Sequence, residues 1–176
     1  RTKVGNPHPD FIYGFTNIFT YKGFDLNIFF QGSQGNDVFN GSRLFLESLQ
    51  GGDNQLAVIN DRWQQPGDIT NIPAATNDPE QAASNVRVSS RFIEDGSYLR
   101  LKNLTLGYNF HIGERLKNSI SGFRVYFTGQ NLFTLTKYSG LDPEVNYRGN
   151  DNAVIGTDFF TFPQARIYSF GLNLTF

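Results

Sequence analysis

The strongest pattern in the sequence is an alternation of apolar and polar residues over its final stretch. Apolar residues occupy every second position there: Tyr168, Phe170, Leu172, Leu174 and Phe176. Small or polar residues fill the positions between them, and a period of two places the two sets on opposite faces of a strand. A strand with lipid on one face and a wet lumen on the other requires this pattern. The alternation therefore predicts a strand of an outer-membrane β-barrel.

The same period recurs in earlier segments of the chain, so that five strands are predicted in all. Each segment has about the 9–11 residues, or slightly more, that a tilted transmembrane strand requires. The third strand changes parity near Asn103, where we expect a β-bulge. The predicted strands are residues 11–21, 24–33, 98–110, 123–133 and 164–176.

The connections between these strands alternate between short and long. Residues 22–23 and 111–122 are short, whereas 34–97 and 134–163 are long, polar and rich in Gly, Asn, Asp and Pro. Bacterial barrels have short periplasmic turns and long extracellular loops. We therefore expect the carboxy terminus and the short turns in the periplasm and both long loops outside the cell. A short helix is predicted at residues 42–49, inside the first long loop.

Five strands cannot close into a barrel, because even a small barrel that side chains can fill takes about eight. Open edges in hydrocarbon would leave unpaired N–H and C=O groups, each costing several kcal/mol. The sequence also contains no methionine and no signal peptide. We interpret residues 1–176 as the carboxy-terminal portion of a larger antiparallel transmembrane β-barrel, with strands missing on the amino-terminal side.

Composition narrows the chemistry that the chain can perform. Its formal net charge is -1, which gives no indication of a nucleic-acid partner. The absence of cysteine excludes disulfides, thiolate zinc sites and cysteine nucleophiles. His8 and His111 are too few and too far apart to suggest a metal site. Glu94 and Asp95 would point to opposite faces of a strand, so they fit a turn better than an acid–base pair. We predict neither catalysis nor a cofactor.

Aromatic residues at the strand ends are the first group of candidate functional residues. Tyr21, Phe24, Tyr108 and Phe110 flank predicted short turns, and we interpret them as an interfacial girdle rather than as stacking platforms for sugars. Trp63 is the only tryptophan and lies in a long loop. It is a candidate contact to a bound ligand or to another protein, although anchoring of the loop's own fold is the favoured interpretation.

The second long loop carries acidic and amide residues that could gather around Ca²⁺. Their spacing matches no EF-hand, and a solvated acidic loop is the favoured interpretation. The residues concerned are Asp142, Glu144, Asp151, Asn152 and Asp158.

Several stretches, in order along the chain, resemble the carboxy-terminal end of the SusC/RagA family of TonB-dependent outer-membrane transporters. The first reads NPHPDFIYGF, where the family has NPxPDxxYGF, and the most specific is SRFIEDGSYLRLKNLTLGY. The matching segments are residues 6–15, 21–26, 29–32, 61–63, 72–73, 90–108, 129–132, 140–144 and 168–176.

The resemblance implies a barrel of about 22 strands around an amino-terminal plug that is absent here. It implies a bacterial outer-membrane importer driven through TonB and capped by a SusD-like lipoprotein. Under this resemblance, Trp63 is a candidate contact to the cargo or to that lid. Oligosaccharides or peptides would be the cargo. It also implies that the alternating face from Tyr168 to Phe176 is a signal for the barrel-assembly machinery as well as a lipid contact. Alternatives are a non-transporting outer-membrane barrel, such as an adhesin or secretion component, and a soluble lectin-like β-sandwich.

Overall fold

The computed structural model describes residues 2–50, 54–113, 119–149 and 151–176. The chain divides into two compact units. One unit, which we call the sheet unit, comprises Asp10–Gln34, Ser97–Thr136 and Pro163–Phe176. The other, the loop unit, comprises Arg1–Pro9, Gly35–Gly96 and Lys137–Phe162. The sequence alone suggested one barrel portion with two loops, whereas the loop segments form a compact unit of their own.

The described residues form eight strands and two α-helices. The strands are β1 (Phe11–Tyr21), β2 (Phe24–Gln34), β3 (Asp37–Asn40), β4 (Ile93–Asp95), β5 (Tyr98–Phe110), β6 (Gly122–Thr136), β7 (Thr157–Asp158) and β8 (Ile167–Thr175). The helices are α1 (Ser42–Leu46) and α2 (Pro79–Asn85), and short 3₁₀ turns lie at Ala57–Asp61, Ser90–Phe92 and Asn152–Val154. No helix in the described part of the chain is long and apolar enough to cross a membrane.

The sheet unit is one antiparallel sheet with the strand order β1-β2-β5-β6-β8. Its strands correspond to the five long segments of period two, which confirms the all-β antiparallel prediction. The observed β2 ends one residue later than predicted, at Gln34, and β6 extends to Thr136. The final strand begins at Ile167 rather than at residue 164. Part of the predicted turn at 111–122 lies outside the described residues.

A β-bulge interrupts the sheet where the parity of the third predicted strand changes. Leu101 pairs with Phe133, but Asn103 pairs with Gln130, so one residue of β5 faces two residues of β6. Asn131 in the bulge has a φ of 52° and donates its side-chain amide to the Ala165 carbonyl oxygen at 3.0 Å. The bulge expected near Asn103 is confirmed. It keeps Leu101 and Leu104 on the same face although they are an odd number of residues apart.

The register sorts the side chains of the sheet into two faces of different chemistry. Asn17 and Gln34 are polar exceptions on the apolar face, and Ile12, Ile18, Phe29 and Ile167 are apolar exceptions on the polar face. The apolar face is formed by Phe11, Tyr13, Phe15, Phe19, Tyr21, Phe24, Leu26, Ile28, Phe30, Leu99, Leu101, Leu104, Leu106, Tyr108, Phe110, Phe123, Val125, Phe127, Phe133, Leu135, Tyr168, Phe170, Leu172 and Leu174. The polar face includes Thr16, Asp25, Asn27, Gln31, Asn103, Thr105, Asn109, Arg124, Tyr126, Thr128, Gln130, Ser169, Asn173 and Thr175.

An ion pair crosses the central strand on the polar face. Arg124 of β6 donates its Nε–H to Asp25 Oδ1 of β2 at 3.2 Å, and Asn109 donates to the same oxygen at 3.2 Å. Gly107 of β5 lies between the two charged residues. A Cβ at this position would come within 2.3 Å of an Arg124 nitrogen and 2.6 Å of Asp25 Oδ1. The ion pair therefore crosses the middle strand directly over a residue that carries no side chain.

The loop unit contains a small sheet with the order β4-β3-β7. β3 is antiparallel to β4 and parallel to β7, and Val38, Tyr138 and Val145 form a buried cluster beside it. The predicted helix at 42–49 begins at Ser42 as expected but ends at Leu46. Ser42 does not cap it, because its hydroxyl accepts a hydrogen bond from the backbone N–H of Phe160 at 2.7 Å.

We predict that Gly107→Ala destabilises the full-length protein by up to about 1 kcal/mol, because the added methyl group displaces the partly exposed Asp25–Arg124 pair. Gly122→Ala is the matched control, since a Cβ there meets only Thr175, at 3.5 Å. The midpoint of urea unfolding in detergent micelles measures both variants. Equal midpoints for the two variants would contradict the role assigned to Gly107.

Candidate functional site

The apolar face of the sheet is exposed over most of its area. Phe170 lies opposite Phe127, with ring centroids 5.0 Å apart, and Leu172 lies opposite Val125. The side chain of Phe170 is 84% exposed and that of Phe176, which follows the last strand residue, is 86% exposed. Such a continuous apolar surface needs a partner or a lipid environment, because soluble proteins rarely expose contiguous apolar patches of this kind.

Five residues were predicted to form a membrane-insertion signal. Four of them share the apolar face of β8: Tyr168, Phe170, Leu172 and Leu174. Their role as an insertion signal stays a prediction.

One end of the apolar face carries a row of aromatic rings that crosses the sheet. The ring centroids of Phe24 and Tyr108 are 4.5 Å apart, those of Tyr108 and Phe110 4.7 Å, and those of Phe110 and Phe123 4.8 Å. Tyr21 extends the row, because it pairs with Phe24. The structure thus brings together the residues predicted as a girdle and adds Phe123, whose place follows from the β5–β6 register. A row of this kind suits a membrane–water interface.

Trp63 lies in the loop unit at the edge of an open groove of about 620 Å³. Its backbone N–H donates to the Ile72 carbonyl oxygen at 3.0 Å, which joins the segments at 63 and 72, and its side chain is 40% exposed. We call this cavity the Trp63 groove. Thr70, Asn71, Ile72, Pro73, Ala74, Ser84, Asn85, Arg87, Ser89 and Arg91 line the rest of it.

A cluster of four alternating charges holds the loop unit together. Arg43 donates to Glu47 Oε1 at 2.5 Å and to Glu94 Oε1 at 2.9 Å, and Arg91 donates to Glu47 Oε2 at 2.6 Å. Glu94 also accepts from the backbone N–H and the hydroxyl of Ser139, each at 2.8 Å. The side chain of Glu47 is only 2% exposed, and a buried charge requires a partner. The guanidinium groups of Arg43 and Arg91 compensate it.

Sequence reasoning missed this charge cluster. Glu94 was interpreted only as part of a turn, whereas it belongs to β4 and bonds to residues far away along the chain. The i, i+4 spacing of Arg43 and Glu47 on a predicted helix was the one available signal.

The charge cluster shifts the pKa of two of its members. Burial by itself raises the pKa of Glu94, but hydrogen bonds from Ser139, Arg43 and Asn40 outweigh it, and the pKa lies below its ordinary value. Burial likewise lowers the pKa of Arg43, and its bonds to Glu47 and Glu94 reverse the shift and raise the pKa. Elsewhere in the loop unit, burial and a 2.6 Å hydrogen bond to Asp158 raise the pKa of Tyr138.

The acidic residues of the second long loop do not gather into a cation site. Among the described residues, no group of three or more His, Asp or Glu side chains could hold a metal ion. Asp158 accepts from the Tyr138 hydroxyl, Asp142 from the backbone N–H of Glu144, and Asp151 from that of Ala153. Asp142 and Asp158 are also buried, at 4% exposure each, so the interpretation of a solvated loop is wrong for these two residues.

Comparison with known proteins gives matches over the whole chain. TonB-dependent receptor P3 of Formosa agariphila is 40% identical over 180 residues, which cover 100% of this chain and 17% of the receptor. TonB-dependent receptor SusC of Bacteroides thetaiotaomicron is 31% identical over 171 residues, covering 97% of this chain and 15% of SusC. No protein-family model matches the chain.

Solved structures give the same result. A structure of the RagAB peptide transporter superposes with a TM-score of 0.78 at 29% identity, covering 97% of this chain and 17% of the transporter chain. The open-open state of the RagAB peptide importer superposes with a TM-score of 0.75 at 30% identity, over 96% of this chain. The chain thus spans about one-sixth of the length of the proteins it matches.

We predict that the loop unit loosens in acid because Glu94 must then be protonated. Since its pKa is lower in the folded state, the stability it contributes is present above its ordinary pKa and is lost as the pH falls through the lowered value. The protection factor of the peptide spanning residues 90–95, which is the exchange rate corrected for the intrinsic effect of pH on amides, should fall over this pH range in the full-length protein. In Glu94→Gln the protection factor should be lower at neutral pH and should no longer change with pH. An unchanged pH profile in this variant would refute the assignment.

Proposed function

The chain belongs to the SusC/RagA family of TonB-dependent receptors, and we propose that it forms barrel wall and extracellular loops of an outer-membrane nutrient importer. The observation that carries the proposal is the sheet with one continuous apolar face and one polar face. We propose that the apolar face contacts outer-membrane lipid and that the polar face lines the interior of the barrel. This division is what a transmembrane barrel requires.

The two edges of the sheet support the idea of a larger barrel. β1 and β8 each pair on one side only within the described residues. Unpaired backbone groups in hydrocarbon each cost several kcal/mol, so both edges need partner strands. We propose that the rest of a full-length receptor supplies these strands and completes a barrel of about 22 strands.

We further propose the orientation and partners of the importer. The aromatic row near the β1–β2 turn would mark the periplasmic interface, and the loop unit would face the cell exterior. There it would meet a SusD-like lipoprotein, while the TonB complex would supply energy from the periplasmic side. Oligosaccharides or peptides would be the cargo; the similar RagAB is described as a peptide importer.

We predict that cells lacking the full-length receptor lose uptake of at least one cargo from a mixture of labelled oligosaccharides and oligopeptides. Uptake should also stop in receptor-containing cells when TonB is deleted, because the outer membrane has no energy source of its own. Retention of cargo at the cell surface without TonB-dependent uptake would favour the alternative of an adhesin.

The assignment of the two faces has its own test, in two adjacent residues of β8. We predict that Phe170→Arg destabilises the barrel by about 2–4 kcal/mol if it lies near the bilayer midplane, because the charge would face lipid. Ser169→Arg is the matched control, since Ser169 is also exposed but lies on the polar face opposite Thr128. The heat-modifiable fraction of the full-length protein in outer membranes measures both. Equal loss in the two variants would contradict the orientation.

The same assay examines the insertion signal. We propose that the barrel-assembly machinery reads the alternating face of Tyr168, Phe170, Leu172, Leu174 and Phe176. Phe176→Ala should then lower the inserted fraction while total synthesis stays unchanged. Normal insertion of this variant would remove the signal role.

A further inference from the structure

We propose that the Trp63 groove binds an acidic oligosaccharide, one that carries carboxylate or sulfate groups. The inference rests on the proposed importer function and names a cargo class for one site in the loop unit. The site combines an exposed aromatic ring, side-chain donors without acceptors and an excess of positive charge.

The aromatic component is the ring of Trp63. The segment that carries it is fixed by the bond between its backbone N–H and the Ile72 carbonyl oxygen, and Trp63, which lines the groove, is 40% exposed. No acceptor for the indole Nε1–H exists among the residues that the structure describes. An aromatic ring with a free polar edge offers an apolar surface to the C–H groups of a sugar and a donor to its hydroxyls.

The donors are Arg87 and Asn71. Within the described ranges, neither side chain has a hydrogen-bond or ion-pair partner. The backbone holds Arg87 at the groove. Asp78 caps the amino end of α2, and just after the carboxyl end of this helix the Arg87 N–H donates to the Ser84 carbonyl oxygen at 3.2 Å. The guanidinium group is therefore held in place by the backbone but has no hydrogen-bond or ion-pair partner in the described part of the chain. Guanidinium groups bind carboxylate and sulfate oxygens with charge-assisted hydrogen bonds.

The charge balance of the groove favours an anion. Arg87 and Arg91 both line it, and no carboxylate is among its described lining residues. The charge of Arg91 is offset by Glu47, which lies 2.6 Å away and is not among the lining residues, so Arg87 supplies the excess positive charge. The remaining polar lining consists of neutral hydroxyl and amide groups, which suit sugar hydroxyls.

An acidic peptide is the competing ligand, and the lining argues against it. The apolar lining residues other than Trp63 are Ile72, Pro73 and Ala74, and Ile72 is only 6% exposed. Trp63 therefore supplies the aromatic surface of the described lining, and an exposed flat ring suits the C–H face of a sugar. The volume, about 620 Å³, fits the usual range of ligand sites, roughly 300–1,000 Å³.

Calorimetric titration of the full-length receptor in detergent tests the proposal. The probes are a set of uronic-acid and sulfated oligosaccharides, neutral oligosaccharides of the same lengths, and oligoglutamate. We expect an acidic oligosaccharide to bind, with affinity that falls as salt is raised. Arg87→Gln should weaken this binding about tenfold or more, through loss of a charge-assisted contact. Trp63→Ala should weaken it as well.

Arg62→Gln is the matched control, because Arg62 precedes Trp63 but does not line the groove. Its affinity should equal that of the unmodified receptor. Absence of binding to every acidic oligosaccharide, equal binding of the neutral series, tighter binding of oligoglutamate, or unchanged affinity in Arg87→Gln would each overturn the proposal. Titration does not depend on transport, so lost uptake with intact binding would count against the importer function alone. Uptake without binding at this groove would count against the groove alone.

Discussion

Backbone hydrogen bonding is the constraint on which the sheet depends. A strand in hydrocarbon must pair every N–H and C=O group with a neighbour, and the pairing fixes which side chains share a face. Strand pairing therefore has to continue across β2, β5, β6 and β8. Within β5, however, the apolar residues change from odd-numbered to even-numbered positions. The bulge opposite Lys102 reconciles the two requirements. Without it, Leu99 and Leu101 would turn to the polar face and Arg100 to the apolar one.

Glycine and large side chains are paired across strands for a related reason. Tyr126 covers Gly171, where a Cβ would come within 2.3 Å of its ring, and Tyr13 covers Gly32 at a similar distance. Together with Asp25 and Arg124 over Gly107, these contacts place large side chains where the neighbouring strand has none. Each such pair favours one register over its alternatives, because a shift by one residue would bring the large group against a Cβ.

The sheet could be predicted from the sequence because its determinants are local. A period of two is visible within a single strand, and the change of parity near Asn103 located the bulge. The loop unit could not be predicted, because its determinants lie far apart in the chain. β3 at residue 39 pairs in parallel with β7 at residue 157, and these strands have four and two residues, too short for a periodic signal. Buried acids such as Asp142 and Asp158 looked solvated for the same reason.

In the loop unit, the charge cluster stabilises the fold, whereas the Trp63 groove is the proposed ligand site. Arg91 belongs to both, since it binds the buried Glu47 and also lines the groove. Its position is thus set by a partner that a ligand does not touch. Arg87, four residues earlier, has no such partner in the described part of the chain and is free to meet a ligand. A change at position 87 can alter the ligand without disturbing the charge cluster, whereas a change at 91 would affect both.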